Sequence, residues 1–307
     1  MRFAVISDIH GNLPALGAVL EDACRQSVDG FLIAGDLLAR APFPAETLQV
    51  LQSLPPDRTF FVRGNGDQYQ LTFAADPAAA DQFGPQAGVI RWTHEAIGQE
   101  GVDFLAGLPE EQVLDFPGLP RIHMVHASPG SMTRALVPDR SPEVLEQFRH
   151  AGIWMDGVRP DPLEQHLNGV HASLLICGHT HISWQQRAGE TLVLNPGSAG
   201  MSINGDPRAQ YALLEWGSGR WKASLRALPY DFQKLKEAYH RSGLLETGGI
   251  FARGFLATAL SGQNAFWFFI HHAVAIARAG GDNHPYKIPD WALEKAEQTF
   301  DWSAYGI

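Results

Sequence analysis

Five short apolar runs in this chain each end on residues able to grip a cation or move a proton. Phe3-Ala4-Val5-Ile6 leads to Asp8-Ile9-His10, and Phe31-Leu32-Ile33-Ala34 to Gly35-Asp36. Phe60-Phe61-Val62 leads to Gly64-Asn65-Gly66-Asp67, and Ile122-His123-Met124-Val125 to His126. Ser173-Leu174-Leu175-Ile176 leads to Cys177-Gly178-His179-Thr180-His181. Runs of this length and composition read as strands, the first of them buried on both faces. Open α/β sheets bind ligands at the carboxyl ends of such strands. The pattern therefore constrains the fold and the site together.

The segments between the runs supply the crossovers. Residues 12–26 read as a helix with Leu13, Leu16, Val19, Leu20 and Ala23 on one stripe; Asn12 caps it, and Pro14 is tolerated in its first turn. Residues 44–54 read as a second helix with Leu48, Leu51 and Leu54 inward. Alternating buried strand and helix argues a parallel core made by right-handed crossovers. Residues 69–118 are helical in pattern, clearest at 88–97, with Trp92 as a core residue and a strand at 113–116. A polar insertion spans 128–169, helical at 141–151 and 162–167; its place just after His126 suits a rim or lid.

After Ile176 the strands become short and alternating, at 183–187, 191–194, 210–216 and 220–228, and suggest a second, mixed sheet packed on the first. From Tyr230 onward the pattern is helical. Phe266-Trp267-Phe268-Phe269-Ile270 is apolar all round and predicts a buried helix, started by Asn264 or Ser261 and ended by Gly280-Gly281. The expected domains are 1–228, carrying the insertion, and a helical extension at 229–307. The extension reads as a layer packed on the core, with a cap that narrows the cleft or a dimer surface as the sharper alternatives.

Spacing points to the chemistry. Asp8 and His10 are two apart, as are His179 and His181, and in extended chain residues i and i+2 point to the same side. Each pair can aim two ligands at one point, and Asp36, Asn65 and His126 add one each from neighbouring strand ends. Imidazole nitrogen mixed with carboxylate and amide oxygen favours Mn, Fe, Co or Zn over Ca or Mg. Seven ligands are too many for one such ion, and a bridging Asp36 would make four contacts for each of two. Two dications against two carboxylates leave roughly two positive charges, which a phosphate ester matches; metals about 3.5–4 Å apart also suit in-line displacement at phosphorus by an activated water.

At this point a resemblance is plain. The order Asp8-x-His10, Gly35-Asp36, Gly64-Asn65, His126, Gly178-His179-x-His181 resembles the calcineurin-like metallophosphoesterase superfamily. Ser7-Asp8-Ile9-His10-Gly11-Asn12 and Asn195-Pro196-Gly197-Ser198 look like its bacterial phosphodiesterase-type branch, and the resemblance extends over 1–228. It implies an α/β (α+β) fold, a four-layer αββα sandwich with two metal ions. By that resemblance Asp8, His10, Asp36 and His181 hold the first ion, and Asp36, Asn65, His126 and His179 the second. Asp36 bridges and holds hydroxide, and Asn65 joins it in catalysis. Asn12, Arg40, Gly66 and Arg134 are the positions expected to meet substrate; Arg140, also in the insertion, is a further candidate. Two departures stand out: Gly66 occupies the place where the family usually has a His that assists the leaving group, and Ala127 follows His126 where Gly is frequent. Asp67, His94 and His123 are substitutes for the missing acid by residue type only; cap, helix surface and core strand are their plainer roles.

The expected protein is a cytoplasmic, dinuclear metal-dependent phosphoesterase, first of all a phosphodiesterase, working by metal-activated hydroxide on a small phosphate ester. The alternatives are a phosphomonoesterase, including a protein phosphatase, and a metal-binding regulatory module whose catalysis has decayed. A net charge of -10 argues against long nucleic acids as partners. Residues 265–277 are the longest apolar run worth testing, and they fall short of the ~20 that a membrane span needs. Met1-Arg2 runs straight into a core strand, so no secretion signal is expected. Cys24 and Cys177 are expected to be reduced, buried thiols.

Overall fold

Side chains that alternate along the central strands divide between two cores, and that division makes the layers. In the computed structural model, which describes residues 1–78, 86–152, 162–284 and 288–307, the strands are β1 (Arg2–Ile6), β2 (Gly30–Ile33), β3 (Thr59–Phe61), β4 (Glu111–Leu114), β5 (Ile122–Val125), β6 (Leu174–Ile176), β7 (Ser183–Ala188), β8 (Thr191–Pro196), β9 (Ala209–Gly217) and β10 (Arg220–Leu228). They form two five-stranded sheets in the orders β10-β9-β1-β2-β3 and β4-β5-β6-β8-β7. Each sheet has a parallel centre, β1-β2-β3 or β5-β6-β8, with antiparallel strands beside it. Phe3, Val5, Ile122, Met124, Leu174, Ile176, Leu192 and Leu194 meet between the sheets. Their neighbours Ala4 and Ile6 face the opposite side, against helices α1 (Leu13–Arg25) and α2 (Pro44–Ser53).

Helices α3 (Asn65–Ala75) and α4 (Ala87–Ala106) follow β3; α5 (Pro142–His150) and a 3-10 turn at Leu163–Leu167 cover the outer face of the second sheet, where Phe148 packs with Val125, Leu175 and Val193. Beyond β10 come α6 (Phe232–Arg241), α7 (Leu244–Ser261), α8 (Ala265–Ala279) and α9 (Asp290–Thr299). The αββα layering and the C-terminal helices match the expected fold class. Among the described residues no helix is long and apolar enough to cross a membrane.

Several expectations need correction. The four late strands do not form one second sheet: the β7-β8 hairpin joins β4, β5 and β6, whereas β9-β10 returns to pair with β1. Alternation alone cannot distinguish them, because both hairpins bury one face against the same inter-sheet core. The helix expected from residue 69 starts at Asn65. The strand expected at 113–116 spans Glu111–Leu114. Helix α8 is not buried all round, since Trp267 is 39% exposed while Ala265, Phe269, Ala273 and Ala277 face inward. Cys24 is exposed, next to Ala23 on the inward stripe of α1, and only Cys177 is buried; both are free thiols. Trp92 is half-buried, its indole N–H donating to Ser242 O. Residues 79–85 of the expected helical stretch, 153–161 of the insertion and 285–287 of the extension lie outside the described residues.

Candidate metal centre

The carboxyl ends of the parallel strands open into loops whose backbone is strained where the chemistry is. Among the described residues eight non-glycine residues have positive φ, and five of them are Asp8, His10, Asp36, His179 and His181; Arg40 is a sixth. Such conformations cost of order 1–3 kcal/mol each and persist where the surroundings enforce them. Backbone hydrogen bonds do so here. Asp8 N–H donates to Gly35 O, His10 N–H to Asp36 O, Gly178 N–H to His126 O and Gly200 N–H to Asp8 O. The loops also approach too closely for side chains: a Cβ on Gly64 would lie 2.2 Å from Asp36 Oδ1, and one on Gly178 would lie 1.9 Å from Ser7 Oγ.

Two groups of ligand atoms result. In the first, one ligand atom each from Asp8, His10, Asp36 and His181 lie within 4.8 Å of one another, all four residues buried. His10 Nδ1 lies 3.1 Å from Ala39 O, and His181 Nδ1 lies 2.5 Å from Met201 O. A carbonyl can only accept, so each Nδ1 carries the proton and each Nε2 presents a lone pair. Those two Nε2 atoms are 3.0 Å apart. Asp8 Oδ1 stands 3.3 Å from His181 Nε2 and, although buried, has no hydrogen-bond donor. Acceptors facing acceptors in a dry site repel unless a cation stands among them, and the carbonyl-fixed imidazoles are the usual outer support of metal-holding histidines. This donor set fits a divalent ion.

The second group is Asn65, His126, His179 and the other oxygen of Asp36. Asn65 Oδ1 is 3.1 Å from His126 Nε2 and 2.9 Å from His179 Nδ1. His126 Nδ1 donates to Ala34 O at 2.8 Å. Asp36 spans both groups: Oδ2 lies 3.6 Å from His10 Nε2, and Oδ1 lies 3.6 Å from His126 Nε2 while accepting from Gly66 N–H at 2.7 Å. The structure thus brings all seven expected ligands to one place.

Charge follows geometry. Burial opposes the Asp8 charge, but positive charge on the facing rings, His181 and then His126 when they are protonated, outweighs it and holds the carboxyl at about 2. Burial likewise opposes Asp36, and His126, Arg40 and His179 outweigh it to lower its pKa. Burial, then Arg40 and His181, push His10 well below its ordinary value; burial and His126 bring His179 to about 4, so both rings are neutral at pH 7. Burial would also depress His126, but Asp36 and Asp8 prevail and raise it.

The positions expected to meet substrate are placed differently. Arg40 lines a cavity of about 140 Å³ together with His179, His181, Met201, Phe255 and Phe266. Arg134 is exposed, is not among the residues lining this cavity, and has its backbone N–H held by Ser131 Oγ. Arg140 is likewise exposed, paired with Glu164. Asn12 is spent on structure: Oδ1 caps α1 at Ala15 N–H, and Nδ2 donates to Gly200 O and Tyr230 OH. Gly66 is the second residue of α3 and presents its N–H to Asp36 rather than to the cavity.

Two of the three substitute acids, Asp67 and His123, take their plainer roles. Asp67 accepts from Gly64 N–H and Leu37 N–H, binding the start of α3 to the Asp36 loop; burial and the neighbouring Asp36 charge raise it to about 7. His123 pairs with Glu111; His94 is half-buried instead of on the helix surface, packs edge-on against Phe73, and has a buried Nδ1 with no hydrogen-bond partner among the described residues.

Some contributors have no mark in the sequence pattern. The carbonyls of Ala34, Ala39 and Met201 orient three imidazoles. The Asn195-Pro196-Gly197-Ser198 stretch, which the sequence does mark, gains a role: Asn195 Nδ2 donates to Gly178 O and Thr180 Oγ1, and Ser198 Oγ donates to Asp8 O, so it clamps two ligand loops. Phe255, Thr258, Asn264 and Phe266 bring the C-terminal helices to the cavity beside His179 and His181.

Strand-end carboxylates and imidazoles on this double-sheet core define a metallophosphoesterase-type fold. A sequence model described as the calcineurin-like phosphoesterase superfamily domain matches residues 1–219, and the chain belongs to that superfamily. An uncharacterized protein of Methanocaldococcus jannaschii is similar, 26% identical over 262 residues that cover 79% of this chain and 93% of that protein. The fold is shared with a metallophosphoesterase from Sphaerobacter thermophilus, at TM-score 0.61 and 23% identity over 84% of this chain and 99% of that one. It is shared also with a hypothetical protein from Pyrococcus horikoshii OT3, at TM-score 0.64 and 22% identity over 82% of this chain and 97% of that one.

Proposed function

We propose that this protein is a dinuclear metal-dependent phosphoesterase acting on small phosphate esters, diesters first. The observation that carries the reading is the donorless Asp8 Oδ1 facing the lone pair of His181 Nε2, beside His10 and Asp36, with His181 itself lining a cavity that Arg40 also lines. Asp8, His10, Asp36 and His181 would hold one divalent ion. Asn65, His126 and His179 would hold a second, with Asp36 giving one oxygen to each. Mn, Fe, Zn and Co suit this mixture of nitrogen and oxygen donors. When bound, such ions polarise phosphoryl oxygens and acidify a water to near neutral pH.

The chain's own residues do the rest. The carbonyl-fixed imidazoles keep their lone pairs aimed inward. Asp36 couples the two groups, and Asn65 stands where both His126 and His179 converge. Arg40 makes no ion pair with a carboxylate among the described residues, which leaves its guanidinium for an anionic ester. One guanidinium at a cavity of about 140 Å³ supports a small monoanionic diester over a phosphoprotein.

The test is a metal-reconstituted assay with bis(p-nitrophenyl) phosphate, p-nitrophenyl phosphate and a phosphopeptide. Diester turnover is the expected result. Faster monoester or phosphopeptide turnover would reassign the substrate class, and metal binding with no turnover of any ester would favour a regulatory module.

A further inference from the structure

The cavity lining is of two chemical kinds, and half of the apolar part, Phe255 and Phe266, comes from residues beyond the superfamily match, which stops at 219. His179, His181 and Arg40 form the polar end. Met201, Ile203, Phe255 and Phe266 form the apolar end. Phe255 stands on α7 and Phe266 on α8, their rings stacked at 4.7 Å. The Arg40 guanidinium lies 5.2 Å from the centroid of Phe255, so an aromatic face rather than a carboxylate steadies it.

This apolar wall is held in place from behind. Helix α8 sits close on α7 at Gly254, where a Cβ would come within 3.2 Å of Phe266 Cα. Thr258 Oγ1 accepts from Phe266 N–H and donates to Gly254 O. The insertion braces the far side: Asn264 Nδ2 donates to Ala151 O and Trp267 Nε1 to Gly152 O, each at 3.0 Å. Met201 joins the two ends, since it lines the cavity and its carbonyl orients His181.

We propose that the α7–α8 wall sets substrate specificity: the protein takes phosphate esters with one apolar organic group the size of a single ring, seated against Phe255, Phe266, Met201 and Ile203. An apolar protein cavity of roughly 150 Å³ admits benzene; this one measures about 140 Å³ with its polar end included, so the room beside the phosphoryl group is one ring at most. A fused two-ring group exceeds it, and a methyl group leaves it unfilled. The inference rests on the phosphoesterase reading above, which places the phosphoryl group at the polar end.

The experiment measures binding rather than turnover. Methylphosphonate, phenylphosphonate and 2-naphthylphosphonate, none of which has an ester bond to hydrolyse, are titrated calorimetrically into the metal-loaded protein. Phenylphosphonate is expected to bind about 10-fold more tightly than methylphosphonate, from burial of the ring, and 2-naphthylphosphonate less tightly than phenylphosphonate. Phe266→Ala enlarges the apolar end and should reverse the phenyl-to-naphthyl order while methylphosphonate affinity holds within about twofold. Ile203→Ala, from the loop side of the cavity, should shift the order the same way and serves if the helix variant misfolds. Equal affinity for all three phosphonates, or an order unmoved by either folded variant, overturns the wall while leaving the phosphoesterase reading intact. Failure of the metal-loaded protein to bind methylphosphonate at all removes that reading and the wall with it.

Discussion

Asp8 and Asp22 are both buried carboxylates in the N-terminal part of the chain, at 0% and 4% exposure. Asp22 sits on α1 with a donor for each oxygen: Tyr211 OH and Arg226 Nε reach Oδ2 at 2.5 and 2.8 Å, and Arg25 reaches Oδ1. Asp8 sits in a strained loop, gives Oδ2 to His179 N–H, and turns Oδ1 toward acceptors with no donor at all. Burying a polar atom unpaired costs about 1–3 kcal/mol. One cluster is therefore arranged for stability, and the other gives up stability for a cation. The same contrast separates the imidazoles: His123 has Glu111, whereas His10 and His181 face each other.

The sharpest way to break this contrast is to neutralise the carboxylate shared by both ligand groups. Asp36→Asn should abolish metal-dependent turnover and bound metal together, because an amide offers no charge and only one oxygen to two cations. The loss should exceed the roughly 10–100-fold typical of removing an outer hydrogen-bond partner. Metal content by elemental analysis, read beside turnover, checks it. A variant that keeps two ions and full rate would show that Asp36 does not bridge.

Next in size is the leaving group. General acid help is worth about 10²–10⁴ in rate. Gly66 has no side chain, Asp67 and His123 are bonded into the fold, and none of Asp67, His94 and His123 lines the cavity. Departure should then go unassisted, and diesters of graded leaving-group pKa should span that range, nitrophenyl fast and alkyl slow. A flat series with chemistry rate-limiting would reveal an acid elsewhere. Gly66→His is a usable control only with metal content measured alongside, since its Cβ would lie 3.0 Å from Asp36 Oδ1.

Smaller again is the effect of loosening a clamp. Asn195→Ala removes the donor to Gly178 O and the acceptor of Gly197 N–H, freeing the loop that carries His179 and His181. Metal affinity should fall about 10–100-fold, with turnover recovering at saturating metal. Unchanged affinity would mean that the loop holds its own strained shape.

The site was more legible in the sequence than its surroundings. Asp8-x-His10 and His179-x-His181 announce themselves because ligands two apart at strand ends leave a fixed spacing. Asn65 was found with its neighbours but misplaced, since a helix that begins on a ligand and a loop that carries one share the same Gly-Asn-Gly-Asp letters. The orienting carbonyls of Ala34, Ala39 and Met201 belong to backbone, and any residue could supply them. The division of the late hairpins between sheets depends on which edge each one meets, a long-range outcome that alternation does not encode. Phe266 reads as ordinary helix core and Phe255 carries no mark of its own, and only the packing of α7 and α8 brings them to the cavity beside His179.

The smallest expected effect concerns Asp22, and it tests the stabilising side of the contrast. Burial alone would raise the Asp22 pKa, but hydrogen bonds from Tyr211 and Arg226 prevail and lower it below its ordinary 3.8. A carboxylate whose folded pKa is depressed contributes stability that is present above its unfolded pKa and lost as pH falls through the folded value. Asp22→Asn should therefore cost about 1–3 kcal/mol at pH 7, the range for a buried group losing its charged hydrogen bonds. The gap between variant and parent should persist down to about pH 4 and then close as the parent's carboxylate is protonated. Urea unfolding of both proteins at pH 7, 5, 4 and 3, without metal, measures it. Metal affinity and saturating turnover should match the parent at pH 7, because none of Asp22, Tyr211 and Arg226 lines the cavity or belongs to either ligand group. A stability gap of constant size down to pH 3 would trace the cost to lost packing instead of the carboxylate charge, and an accompanying loss of metal would mean that the two clusters are coupled through β1.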